Sequence, residues 1–169
     1  MTLSLWDFSV ATYSRPGVQQ ACLSLQDRMG VDVNILMYCC WHGALTRDGL
    51  STLLADLAPW QNNIVSGLRS VRRKLKLMLN DLAEFSENAD DLLFRIAALE
   101  LEAEKLQQAM LERHGTDLAA GSASPQTAAD NLSYYFACLN KTTDASAQKA
   151  LDILISAAFT ISNAQKQAD

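Results

Sequence analysis

The residues best suited to chemistry crowd into one short stretch, "LQDRMGVDVNILMYCCWHG", residues 25–43. Gln26, Asp27, Arg28, Asp32 and Asn34 stand directly before the apolar run Ile35–Trp41, which carries Cys39 and Cys40 and ends at His42. Carboxylates beside amides could orient a polar ligand or hold Mg²⁺. A thiol three residues from an imidazole can share a helix face with it, as a nucleophile and its base. Neither chemistry has its usual complement here. A structural zinc site needs four ligands, and the other histidine, His114, follows Arg113 at a helix end, where a cation suits the helix dipole. No Gly-rich phosphate loop and no G-x-S-x-G motif occurs. The sequence therefore assigns no catalytic residue, no metal ligand and no cofactor.

Most of these polar residues have a structural explanation at helix ends. Asp32 is placed to cap the apolar helix that follows it. Asp27 and Arg28 fall in the last turn of the preceding helix, as exposed residues. Asn34 fits this account worst. It sits in the first turn of a helix that is apolar nearly all round, where its amide must find partners or cost about 1–3 kcal/mol. Gln26, four residues after Cys22, lies beside the core stripe. Two readings stay open: a satisfied polar network joining the two helices, or a pocket in which this group orients a ligand.

The second charged feature is the basic cluster Arg69, Arg72, Arg73, Lys74 and Lys76, a potential phosphate grip. Its meaning depends on the elements around it. Ile64, Leu68, Val71, Leu75, Met78, Leu82 and Phe85 alternate at spacings of 4 and 3, and so do Leu92, Ile96, Leu99, Ala103, Leu106 and Met110. Two such stripes joined by a short loop predict an antiparallel, coiled-coil-like hairpin over 60–114, with Leu75 and Leu99 in its seam. If facing residues have numbers summing to about 174, Arg72 lies near Glu102 and Lys74 near Glu100, as flanking pairs. Arg69, Arg73 and Lys76 then point outward, toward any acidic partner.

The other elements follow from caps and periodicity. Ser4 and Asp7 form a capping pair for a helix over about 5–14. A second helix runs over about 16–29, with Pro16 at its start and Gly30 as terminator. The apolar helix, about 33–45, has no polar face and must be surrounded by others. A short helix over about 50–57 stops at Pro59. The small-residue stretch 115–124 reads as a loop, Ser124-Pro125 opens a helix over about 125–140, and Thr143 opens one over about 144–163 before a frayed tail. The expectation is an all-α, single-domain bundle of about seven or eight helices. It divides into 5–58 around the buried central helix, the hairpin 60–114, and the pair 125–163.

Composition narrows function only modestly. The 169 residues suit one domain, and the net charge of −5 argues against nucleic acid or an anionic membrane as the default partner. No run approaches the ~20 apolar residues of a membrane span, and the start lacks the basic region of a signal peptide. Cys22, Cys39, Cys40 and Cys138 have no C-x-x-C spacing and read as reduced thiols in the cytoplasm.

Trp6-Asp7, Tyr13 with Arg15-Pro16-Gly17-Val18, Leu25-Gln26-Asp27-Arg28 and Asp32-Val33-Asn34 together resemble a family of small proteobacterial proteins of unassigned function. The likeness spans roughly residues 5–76 and implies a bacterial cytosolic protein without supplying an activity. The expected function is a non-catalytic protein-interaction or regulatory module, with a homo-oligomer left open. The alternatives are a small-molecule-binding protein or enzyme using the Gln26/Asp27/Arg28/Asp32/Asn34 group, and an RNA- or ribosome-associated factor using the 69–76 face.

Overall fold

The computed structural model describes residues 3–115 and 122–165. Its α-helices are α1 (Leu5–Tyr13), α2 (Val18–Met29), α3 (Val33–Trp41), α4 (Arg47–Trp60), α5 (Ser66–Met78), α6 (Ser86–Gly115), α7 (Pro125–Cys138) and α8 (Ala145–Gln165). A π-helical turn, Gln61–Val65, joins α4 to α5, and a 3-10 stretch, Leu79–Phe85, joins α5 to α6. The all-α expectation holds, but the helix count needs correction. Helical turns follow one another from Arg47 to Gly115 with no loop between them, bent back at Leu82, so the described residues hold six continuous helical stretches, not seven or eight. Pro59 removes the donor that would reach the carbonyl of Ala55. The helix widens into a π turn within the next few residues instead of ending.

Elsewhere the ends follow local chemistry. Ser4 accepts the Asp7 N–H at 3.1 Å and donates to its carboxylate at 2.6 Å. Gly17, left-handed at φ 81°, starts α2 one turn-residue later than Pro16 would, and Gly30, at φ 59°, ends it. The Asp32 side chain caps α3 at the Asn34 N–H. That helix stops at Trp41 rather than near 45, because His42 turns extended at ψ 150°. Ser124 and Thr127 form a capping box on α7. Asp144, not Thr143, caps α8 by accepting the Ala147 N–H at 2.7 Å. Residues 116–121 of the expected loop and 166–169 of the expected tail lie outside the described residues.

The chain divides into two compact units, Met1–Leu53 with Gln108–Asp169, and Leu54–Gln107. In the first, α3 is the central helix. Every residue from Ile35 to Cys40 is at most 2 % exposed. Helices α7 and α1 pack most closely on α3, and α2 packs against α8. A buried helix must satisfy its last carbonyls without water, and one α7 residue does this. Asn131, fully buried, donates through Nδ2 to the carbonyls of Cys39 (3.0 Å) and Gly43 (2.8 Å), and its Oδ1 accepts the Leu45 N–H at 2.9 Å.

In the second unit, α5 and α6 lie antiparallel. Arg72 reaches Glu100 at 2.5 Å, although a straight helix would separate them by about 40 Å. The reversal occurs in the 3-10 stretch, where Leu82 leaves helical geometry at φ −102°, ψ 22°. The inward row of α6 is Ala89, Leu93, Ile96, Glu100, Ala103 and Gln107; facing it from the other arm are Val65, Leu68, Arg72, Leu75 and Leu79. This differs from the expected seam. Leu75 is half-buried, but Leu99 is 51 % exposed, and Arg72 pairs with Glu100 rather than Glu102. The two candidate rows on α6 share Ile96 and Ala103, so periodicity alone does not choose between them. In the structure the row containing Glu100 faces inward, and two guanidinium groups share its carboxylate there.

Asn131→Leu should cost about 3–5 kcal/mol, since it strands one donor and two acceptors in the core. A urea melt of the variant checks this. A loss below about 1 kcal/mol would show that α3 ends without needing that amide.

Candidate functional site

The polar residues before α3 are brought near one another by α2, the Gly30 turn and the start of α3, but each has its own structural partner. Asp32 accepts the Asn34 N–H at 2.9 Å, and its own backbone N–H donates to the Tyr135 hydroxyl at 2.9 Å. Burial pushes the Tyr135 phenol well up, so it stays a neutral hydroxyl. Asn34 is buried, and its Oδ1 accepts from Gln108 Nε2 at 2.7 Å. Part of the network that Asn34 needs therefore comes from α6. Gln26 is half-buried, and its carbonyl takes the Gly30 N–H that closes α2. Asp27 is exposed. Arg28 reaches α8, donating to Ser146 at 2.7 Å and pairing with Asp144 at 2.6 Å. The Ala147 backbone N–H and then Arg28 hold the Asp144 carboxyl below its ordinary value. Lys141 donates to the carbonyl of Met29.

The thiols and the imidazole are packed as core. Burial raises the Cys22 thiol to about 12 and pushes Cys39 and Cys40 up as well, which favours the protonated thiol in all three. His42 is 4 % exposed, with its ring 5.1 Å from that of Tyr38. Among the described residues no three His, Cys, Asp or Glu side chains are grouped so that they could hold a metal ion. An open groove of about 450 Å³ beside the turn after α1 is lined by Arg15, Pro16, Lys149, Asp152, Ser156 and Thr160. Its charged groups are spread along it rather than aimed at one point.

The cations of the basic cluster differ in burial. Arg69, expected to point outward, is half-buried and pairs with Glu100 at 2.9 Å and Glu104 at 2.6 Å. Arg72 takes the other Glu100 oxygen. Burial alone would raise the Glu100 carboxyl. The hydrogen bonds from Arg72 and Arg69 outweigh burial and hold it below its ordinary value. Arg73, Lys74 and Lys76 are exposed.

The feature that periodicity concealed is apolar. No residue of α5 is fully buried. Ile64, Val71, Met78, Leu92, Leu99 and Leu106 are between 39 and 52 % exposed. These residues were expected inside the seam. The sequence signal that could have found them outside is the width of the apolar surface on each arm, which exceeds what one neighbouring helix can cover.

The described residues thus define an all-helical protein with a packed bundle unit and a hairpin unit, and no helix long and apolar enough to cross a membrane. The chain belongs to a family of proteins of unknown function, DUF2390, whose model matches residues 4–111. That span takes in both arms of the hairpin and stops short of α7 and α8. Among curated proteins and solved structures, no match is found.

Two measurements check this account. Asp32→Ala should lose about 0.5–2 kcal/mol and Asp32→Ser should recover most of it, because a hydroxyl accepts the same N–H. Equal losses in both variants would mean that the carboxylate does more than cap. Glu100 has a lowered folded value, so its contribution is present above its unfolded value of 4.5 and is lost as the pH falls through the folded one. The stability gap between wild type and Glu100→Gln should therefore be constant above about pH 5.5 and shrink in acid. A gap independent of pH down to about pH 3 would contradict the Arg–Glu–Arg assignment.

Proposed function

We propose that this protein works by binding a protein partner rather than by catalysis, and that the Leu54–Gln107 unit carries the binding surface. The observation behind this reading is the exposed apolar residues on both arms of the hairpin. Monomers rarely leave contiguous apolar patches above a few hundred Å² open to water, and fully burying each such side chain is worth about 1.5–3 kcal/mol. The catalytic alternative has less support, because the Gln26–Asn34 group is occupied in capping, in the Asn34–Gln108 bond and in the Arg28–Asp144 pair. Nucleic acid binding through residues 69–76 has less support too, since Arg69 and Arg72 are engaged by Glu100 and Glu104. A bacterial cytosolic setting is part of the same proposal. The buried, unoxidised thiols Cys22, Cys39 and Cys40 support a reducing compartment.

Affinity purification from the native cells at moderate salt, with wild type and Leu99→Glu side by side, tests this. The expected result is a protein partner, retained after nuclease treatment and lost from Leu99→Glu. Recovery of only a small molecule, unaffected by Leu99→Glu, would overturn it.

A further inference from the structure

Six of the hairpin's exposed apolar residues fall into two ordered rows, while Leu77, Phe85, Phe94 and Leu101, also exposed, lie off them. Ile64, Val71 and Met78 are seven apart on one arm, and Leu92, Leu99 and Leu106 are seven apart on the other. Each stands one residue before an inward position: Val65, Arg72 and Leu79 on the first arm, Leu93, Glu100 and Gln107 on the second. One residue back is a turn of about 100° about the helix axis. The same turn on two antiparallel helices carries both rows to the same side of the pair. The residues one position forward confirm the geometry, because Arg69 and Glu104 stand one after Leu68 and Ala103 and meet on the opposite side at 2.6 Å. The hairpin therefore has one side that carries the Arg69–Glu104 pair along with the exposed Phe94 and Leu101, and one side that carries both apolar rows. Each apolar row repeats at the heptad spacing of a helix packed against a further helix.

Charge identifies the occupant. Ser66–Met78 holds Arg69, Arg72, Arg73, Lys74 and Lys76 and no acid. Residues 86–107 hold six acids, Glu87, Asp90, Asp91, Glu100, Glu102 and Glu104, against Arg95 and Lys105. Lys74 and Glu102 flank the apolar face on opposite arms, both exposed, and neither makes an ion pair among the described residues. A two-fold axis along the hairpin would lay α5 of each copy on α6 of the other, basic arm on acidic arm, with Lys74 within about one turn of the partner copy's Glu102.

We propose that this face is the contact between two copies of the chain, which pair their hairpins into an antiparallel four-helix bundle. The inference rests on the protein-binding reading above and names the partner. The rows from 64 to 78 and from 92 to 106 each run about 20 Å, across two helices of about 10 Å. That footprint, roughly 400 Å² per copy, falls below the standard interface and in the range of weak, transient contacts, so a dissociation constant of micromolar or weaker is expected.

Light scattering coupled to size exclusion, on the full chain between about 1 and 200 µM, should show a concentration-dependent dimer. Leu99→Glu should weaken dimerisation by a hundredfold or more, since the two-fold axis counts the change twice. Lys74→Glu and Glu102→Lys, both at exposed positions, should each weaken it roughly tenfold, and an equimolar mixture of the two should recover dimers by pairing unlike variants. Far-UV circular dichroism should be unchanged in all three variants. A monomer at every concentration overturns the proposal, as does a dimer indifferent to Leu99→Glu or a charge-reversal mixture that stays monomeric. A monomer whose Leu99→Glu variant loses a partner in the affinity purification overturns self-association alone. If that variant loses nothing, the protein-binding reading falls as well.

Discussion

Everything around α3 depends on how an apolar helix ends in a dry interior. Its side chains, Ile35 to Cys40, need no water, but the carbonyls at its C-terminus do need donors. Asn131 supplies one to Cys39 and one to Gly43 just beyond the helix, and takes the Leu45 N–H in return, which ties α7 to the turn that leads toward α4. At the opposite end Asp32 caps the first turn and donates its backbone N–H to the hydroxyl of Tyr135, one helical turn further along α7. The same helix therefore brackets α3 at both ends. Its apolar residues Leu132 and Phe136 fill the space between.

The two units solve different problems. In the bundle unit, burial drives assembly and a few amides and caps satisfy the backbone that burial strands. In the hairpin unit, Glu100 sits in the inward row and is stabilised there by two arginines. A carboxylate in that row is tolerable only with such partners, and it fixes which side of α6 turns inward. That choice has a consequence: once Glu100 faces in, Leu92, Leu99 and Leu106 are turned out. The ion pairs and the exposed apolar face are two sides of one rotational setting.

The polar residues before α3 make structural contacts of different kinds. Asp32, Asn34 and Arg28 are polar for three separate reasons: a helix cap, a bond to Gln108, and a link to α8. They are adjacent in sequence because two helices meet there, and their partners lie on α6, α7 and α8. No common ligand is needed to explain any one of them.

The sequence by itself determined the helical class, the buried character of α3 and most helix ends, because caps, terminators and apolar periodicity act over a few residues. Ser4, Gly30, Asp32 and Ser124 all do what their local chemistry dictates. Tertiary structure decided what depends on distant partners. Asn131 reads as an ordinary helical asparagine until α3 ends against it, and Asn34 reads as an unmet cost until Gln108 arrives from 74 residues away. Pro59 signals a stop, yet a π turn carries the helix through it. The side of α6 that faces α5 was likewise undecidable from spacing, since rows one residue apart share Ile96 and Ala103. Periodicity gives the width of an apolar surface, and only packing decides which part of it is covered.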